Sequence, residues 1–134
     1  MIKKIMDETN TGFMSHVGGL NLKKINAHNF EFSVIVKEIH LNSGKISHGG
    51  FLSTIADTGM GTAAHMLTKN SRCVTISLDI KFISAAHLNQ TLKGKVKIQK
   101  KTKSLIFITC DVSNSENIVV AASGVWKILK TLKN

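Results

Sequence analysis

A chain of 134 residues with 43% hydrophobic content and a mean hydropathy of +0.08 suits one domain with a real core and excludes general disorder. The formal charge of +10 comes from 18 Lys and Arg, of which only Arg72 is arginine, against 8 acids. Such a balance fits a lysine-solubilised surface or a phosphate-bearing ligand, while the near-absence of Arg, no Tyr and one Trp argue against base-reading nucleic-acid recognition.

The N-terminus carries basic residues with no apolar h-region behind them, and no run of about 18 apolar residues occurs anywhere, so neither secretion nor a membrane span is expected. Cytoplasm is the default location. In a reducing compartment Cys73 and Cys110, both in apolar strand-like segments, read as packed thiols rather than a disulfide.

In chain order, residues 1 to about 16 alternate charged and apolar positions (Ile2, Ile5, Met6, Phe13, Met14) and predict a short amphipathic helix ending at Gly18 and Gly19. Strands are expected over Leu20–Asn26 and Asn29–Glu38, forming a hairpin whose second arm faces Phe30, Phe32, Val34 and Val36 inward. A polar loop then leads into His48-Gly49-Gly50. Beyond it, Phe51, Leu52, Ile55, Ala56, Gly59, Met60, Ala63, Ala64 and Leu67 recur at helical spacing, so a long buried helix carries one acid, Asp57. Burying a lone carboxylate is costly, so Asp57 either has a partner or does chemistry.

The stretch from Val74 to Ser84 alternates most clearly, placing Val74, Ile76, Leu78, Ile80 and Phe82 on one face and Thr75, Ser77, Asp79 and Lys81 on the other. Three more strands follow over Thr91–Lys101, Ser104–Ser113 and about Asn117–Leu129, with Lys93, Lys95, Lys97 and Lys101 on one face. Those lysines either form a solvated outer face or meet phosphates. One apolar helix with about six antiparallel strands predicts an α+β domain in which a curved sheet wraps the helix. No linker composition or repeat divides the chain, so residues 1–134 are expected to form one domain, with a helical segment over 1–19 and the core over 20–134.

Several chemistries find no support. There is no G-x-S-x-G elbow and no P-loop spacing, and the six histidines are dispersed without a paired zinc motif. No metal or cofactor is implied. The loop-helix unit remains: Gly49 and Gly50 let the backbone approach a ligand, and the first helical amides with the dipole behind them outline an oxyanion hole. Equally, His48 can be a cap at a tight turn. Asp57 lies nine residues past His48, about 13 Å along a helix at 1.5 Å per residue, so the two can share a substrate only across a two-fold dimer. Gly59, Gly61, Ala63 and Ala64 fit such helix pairing or, equally, tight packing on the sheet.

The run H-G-G-F-L-S-T-I-A-D-T-G-M-G followed by V-T-I-S-L-D-I-K-F-I-S-A-A resembles the hotdog-fold acyl-CoA thioesterases of the PaaI type, including the thioesterase superfamily member class. The likeness runs from about residue 40 to the end, with K-S-L-I-F at 103–107 and V-V-A-A-S-G at 119–124 in keeping. It implies a helix wrapped by an antiparallel sheet, dimers that join their sheets, and homotetramers built from dimers. It further implies that Asp57 is nucleophile or general base, that the Gly49 N–H polarises the thioester carbonyl, and that Asn42 places the nucleophilic water or substrate. His48 would support the thioester end, and Thr75 would assist the aspartate across the dimer interface. Gly50, Ser84 and Lys103 are the expected substrate contacts, with acyl-CoA as substrate.

Two positions depart from the family pattern. Lys45 stands where a glycine is usual, with Gly44 one place earlier, which predicts a shifted loop at Asn42; Ala85 replaces a proline in a turn. Rival readings are a non-catalytic acyl-CoA-binding hotdog protein, a hotdog dehydratase and a basic nucleic-acid binder. Retention of Asp57 distinguishes the hydrolase from the pure binder.

Overall fold

The computed structural model describes residues 2–69 and 71–129, with the side chains of residues 2–4 and 7 outside that description. The Ile2 side chain of the expected amphipathic face and the last five residues of the expected domain therefore lie outside the described set.

Two short helices, α1 (Ile2–Thr9) and α2 (Gly12–His16), precede the hairpin β1 (Asn21–Asn26) and β2 (Asn29–Ile35). After a 3-10 turn at Glu38–His40 come the long helix α3 (Gly49–Thr68) and four strands, β3 (Cys73–Phe82), β4 (Thr91–Lys101), β5 (Leu105–Ser113) and β6 (Ile118–Ile128). The single N-terminal helix expected to run to about residue 16 is broken at Gly12, whose φ of +53° a helix cannot continue through. The Asn10 side chain then clasps Leu20, accepting from its N–H at 2.7 Å and donating to its carbonyl at 2.8 Å.

All six strands pair antiparallel in one sheet of order β1-β2-β4-β5-β6-β3, as the sequence reading required. The inward residues Phe30, Phe32, Leu92, Val96, Ile98, Ile106, Ile108, Val112 and Trp126 close on Ile55, Ala56, Met60, Ala63 and Ala64 of α3, all nearly or fully buried. Burial at roughly 25 cal/mol per Å² of apolar surface makes this contact the main stabilising layer.

The small residues of α3 answer the choice left open above. A Cβ on Gly59 would meet the Phe32 ring at 2.5 Å, and one on Gly61 would meet Trp126 Nε1 at 3.2 Å. They serve helix-on-sheet packing. Gly94 on β4 is tied to the same ring, where a Cβ would fall 2.1 Å from Phe32.

Bulges overturn two alternation patterns. In β3 the register shifts between Thr75 and Ser77, so Thr75 faces inward opposite buried Trp126, Val74 faces outward opposite Lys127, and only from Leu78 onward do the apolar residues point inward. The expected one-sided burial also fails, because β3 is a sheet edge: Ile76 and Phe82 are 54% and 56% exposed. In β4 the register shifts between Ile98 and Lys100. Lys93, Lys95 and Lys97 share the outer face as expected, but Lys100 continues that row opposite exposed Phe107, and Lys101 pairs with buried Ile106 on the other face.

Candidate active site

The entry to α3 is built by short-range hydrogen bonds. Asn42 Oδ1 accepts from the N–H groups of Gly44 at 2.9 Å and Ile46 at 3.3 Å, so this side-chain oxygen shapes its own loop. Lys45 adopts φ +65°, the left-handed conformation that suits the glycine usual at this position, while Gly44 has no positive φ.

His48 is the N-cap of α3. Its Nδ1 accepts from the Gly50 N–H at 2.7 Å, so the capping reading holds in this conformation, and the Gly50 amide is engaged rather than offered to a ligand. The His48 N–H in turn donates to the His40 carbonyl at 2.7 Å, and Ser47 N–H donates to the Ala86 carbonyl at 2.8 Å. Gly49 is the first helical residue and sits against the Phe82 ring, where a Cβ would come within 3.3 Å. Its N–H meets no acceptor among the described residues.

Asp57 lies two turns further along α3. It is half-buried on the helix face turned from the core, which corrects the expectation of a carboxylate sunk among apolar neighbours. Its partner is Thr75, whose Oγ1 donates to Asp57 Oδ1 at 2.8 Å. The bond is made within one chain; Thr75 does not need to reach across an interface to find the aspartate, as the resemblance had implied. The bulge after Thr75 makes this contact by turning that side chain toward α3. Beside Asp57 opens a hollow of about 450 Å³ walled by Glu8, Phe13, Met14, Ser53 and Leu78. The N-terminal helices thus form one side of it.

The remaining expected contacts are dispersed. Ser84 donates its hydroxyl to the Ile118 carbonyl at 2.6 Å, near the Phe82 end of β3. Lys103 lies in the β4–β5 turn beside Ser104, whose carbonyl accepts from Ile128 N–H; Ile128 pairs with Cys73, at the opposite end of β3. One chain therefore brings together Asp57 with Thr75 and, about 12 Å away along the helix, His48 with Gly49. Two residues at the site escaped the sequence reading: Phe82, whose ring was assigned to the core, and His40, counted only among dispersed histidines.

Neither cysteine competes as a nucleophile. Burial, with some help from Asp111, pushes the Cys110 thiol up to about 12, and burial also raises Cys73 against smaller opposing effects of Thr68 and Lys101. Among the described residues no three His, Cys, Asp or Glu side chains gather as metal ligands, and no helix is long and apolar enough to cross a membrane.

A long helix held in a six-stranded antiparallel sheet, with a capped glycine at its start and an acid two turns on, defines a hotdog-fold protein. The family model of the thioesterase superfamily matches residues 44–121, and the chain belongs to that superfamily, a class of thioester hydrolases. A Pseudomonas aeruginosa protein provisionally named an esterase is 32% identical over 94 residues, 69% of this chain and 70% of that one. Mouse acyl-coenzyme A thioesterase 13 is 29% identical over 90 residues, 66% of this chain and 64% of that one.

Solved structures share the fold at lower identity. A hypothetical thioesterase from Streptococcus pneumoniae with coenzyme A superposes with a TM-score of 0.84 at 20% identity, covering 96% of this chain and 99% of that one. Zebrafish thioesterase superfamily member 2 gives 0.83 at 21% identity, covering 96% of each, and the Escherichia coli PaaI protein 0.84 at 19%, covering 96% and 91%.

Proposed function

We propose that this protein is an acyl-CoA thioesterase whose site is shared by two subunits paired through β3. The observation that carries the reading is the Asp57–Thr75 pair: a half-buried carboxylate oriented by one hydroxyl, facing a hollow, beside an unpaired apolar edge strand. Mouse acyl-coenzyme A thioesterase 13 supplies the substrate class, and the coenzyme A held by the pneumococcal neighbour is in keeping with it. That neighbour has also been solved with an aspartate and with a threonine each changed to alanine, the residue types paired here.

The geometry argues for two subunits. Asp57 is held at the Thr75 end of β3 and Gly49 at the Phe82 end. Antiparallel pairing of two β3 edges sets the Thr75 end of one subunit against the Phe82 end of the other, so the aspartate of one approaches the Gly49 amide of its partner. The same operation carries Lys103 of one subunit to the end that holds Ser84 of the other, where a cation can meet CoA phosphates. Dimers of this kind can pair into tetramers.

In the reaction the Gly49 N–H, with the α3 dipole behind it, stabilises the oxyanion as the thioester carbonyl is attacked. Asp57 either takes a proton from the attacking water or attacks the carbonyl itself. The C–S bond then breaks and CoA leaves as thiolate. On the general-base route the proton taken by Asp57 passes to the thiolate as the acid is released; on the nucleophilic route a water hydrolyses the mixed anhydride left on Asp57, freeing the acid and supplying the proton. Thr75 fixes which carboxylate oxygen is free: with Oδ1 bonded, Oδ2 faces the substrate. His48, by accepting from the Gly50 N–H, steadies the helix start that carries the Gly49 amide, and Asn42 shapes the loop that leads into it.

Free-thiol release from a panel of acyl-CoAs, acetyl to palmitoyl with phenylacetyl and hydroxybenzoyl, tests the reading with wild type beside Asp57→Asn. The expected result is hydrolysis that falls at least about 10³-fold in the variant while the fold persists. Folded wild type that binds acyl-CoA and cleaves none of the panel would make the protein a binder instead. Single turnover in ¹⁸O-water separates the two roles of Asp57, since only a nucleophilic carboxylate acquires label.

A further inference from the structure

We infer that His40 is a positioning residue for the helix start that carries the Gly49 amide; the inference rests on the catalytic reading above. His40 is 3% exposed, and each of its polar groups is committed. Its Nδ1 accepts from the Lys37 N–H at 2.9 Å, which leaves the proton on Nε2, and that nitrogen donates to the Val17 carbonyl at 2.6 Å. The ring therefore joins the end of the β2 segment to the residue that closes α2.

The same residue grips α3 from two directions. Its carbonyl accepts the His48 N–H at 2.7 Å, and its ring stacks on Phe51 with centroids 3.6 Å apart and planes 8° from parallel. Gly49 lies between the two gripped positions, 48 and 51. Phe51 also borders a cavity of about 490 Å³ on the β2 side of the helix, shared with Val17, Val34 and Lys37. Without the stack, the first turn of α3 has room to move toward that cavity, and the Gly49 N–H moves with it.

Few side chains satisfy all three demands. A donor and an acceptor must sit on opposite sides of a flat ring, and the ring must be neutral, since a second ring proton would face the Lys37 N–H. Phenylalanine keeps the stack and loses both ring bonds. Glutamine keeps a donor and an acceptor and loses the stacking area.

An oxyanion donor acts only when it is aimed at the place where charge develops, and a misplacement of about 1 Å can cost roughly 10²-fold. A displaced donor lowers kcat rather than substrate binding. Steady-state kinetics with the best acyl-CoA of the panel, well below the melting temperature of each variant, reads this directly. For His40→Phe, which loses the ring bonds that hold the stack in place, the expected result is a kcat about tenfold down with KM within about twofold, and for His40→Gln, which keeps a donor and an acceptor and loses the stack, a kcat at least about threefold down, again with KM within about twofold. Unchanged kcat, or a loss confined to KM, in folded His40→Phe overturns the inference.

Should His40→Phe not fold, Phe51→Leu decides, since it removes the stack and leaves both ring bonds: a threefold or larger drop in kcat at constant KM supports the role, and parity with wild type overturns it. Asp57→Asn is assayed alongside. Full activity there sinks the catalytic reading itself, whereas a dead Asp57→Asn beside a fully active His40→Phe sinks only the role of His40.

Discussion

The two edges of the sheet are built on opposite plans. β1 is six residues long, carries Lys23 and Lys24 in its middle and is bulged between Lys24 and Asn26. These are the devices that keep an edge from pairing with another chain. β3 is ten residues long and leaves Val74, Ile76, Leu78 and Phe82 between 38% and 56% exposed. It too has a bulge, which moves the apolar row from one face to the other, and one exposed ion pair between Lys81 and Asp79 at 2.7 Å, yet apolar side chains stay exposed on both sides of the bulge. Asp57 and Gly49 both lie beside this second edge. The difference teaches that one edge carries devices against association and the other leaves apolar side chains exposed, and the residues proposed for the chemistry lie beside the second.

A charge on the β3 edge should break the comparison with the largest effect. Ile76 is 54% exposed, so Ile76→Lys costs the single subunit little, whereas two such lysines meeting across a two-fold repel and lose buried apolar area. Size-exclusion chromatography with light scattering is expected to show dissociation to monomer. Because the partner then no longer supplies the opposing Gly49 amide, kcat/KM should fall about 10²-fold or more. A monomeric variant of wild-type activity would show that one chain suffices.

Thr75→Val acts on the same edge and should leave assembly intact. It is nearly isosteric and removes the hydroxyl that donates to Asp57 at 2.8 Å. A hydrogen bond to a charged group is worth about 1.5–3 kcal/mol, less where water can replace it, so a roughly tenfold loss in kcat is expected with the dimer unchanged. Serine at 75 restores the donor and should restore the rate. Dissociation of the Val variant would instead place Thr75 among the assembly contacts.

How much of this was legible in the sequence follows from what each signal depends on. The strands β4, β5 and β6 were readable because strict alternation reports one buried face, and Thr91–Lys101 was placed to the residue. The motif from His48 to Asp57 was readable because glycine pairs and an isolated acid carry chemistry in their type. What escaped were phase changes: a bulge inserts one residue without altering composition, so Thr75 and Lys101 were assigned to the wrong faces. Burial on β3 escaped for another reason, since an apolar edge strand alternates as a core strand does and the alternation does not report whether a neighbouring strand covers it. His40 was invisible because its role is made by Val17 and Phe51, residues distant in sequence.

Lys45 gives a prediction of intermediate size, on the loop that leads toward the β3 edge rather than on either strand. It holds φ +65°, where a Cβ costs about 1–2 kcal/mol, and glycine would remove that cost while adding unfolded-state entropy of about 0.4–1 kcal/mol. Lys45→Gly is therefore expected to stabilise by up to about 1 kcal/mol in chemical denaturation, with kcat unchanged. Destabilisation would mean that the lysine side chain contributes a contact worth more than its strain.

The smallest effect belongs to the protected edge and serves as the control for all the others. Lys23 is exposed on β1 and stands opposite Glu31 on β2, so Lys23→Ile gives up an exposed charge pairing and gains strand propensity. The two nearly cancel, and stability should stay within about 0.5 kcal/mol and activity within about twofold. What should change is association: without that charge β1 offers Ile25, itself 47% exposed, beside a second apolar side chain. Light scattering at rising concentration is expected to show species larger than the wild type. If instead activity falls with no new association, the β1 edge contributes to the site, and the division of labour between the two edges does not hold.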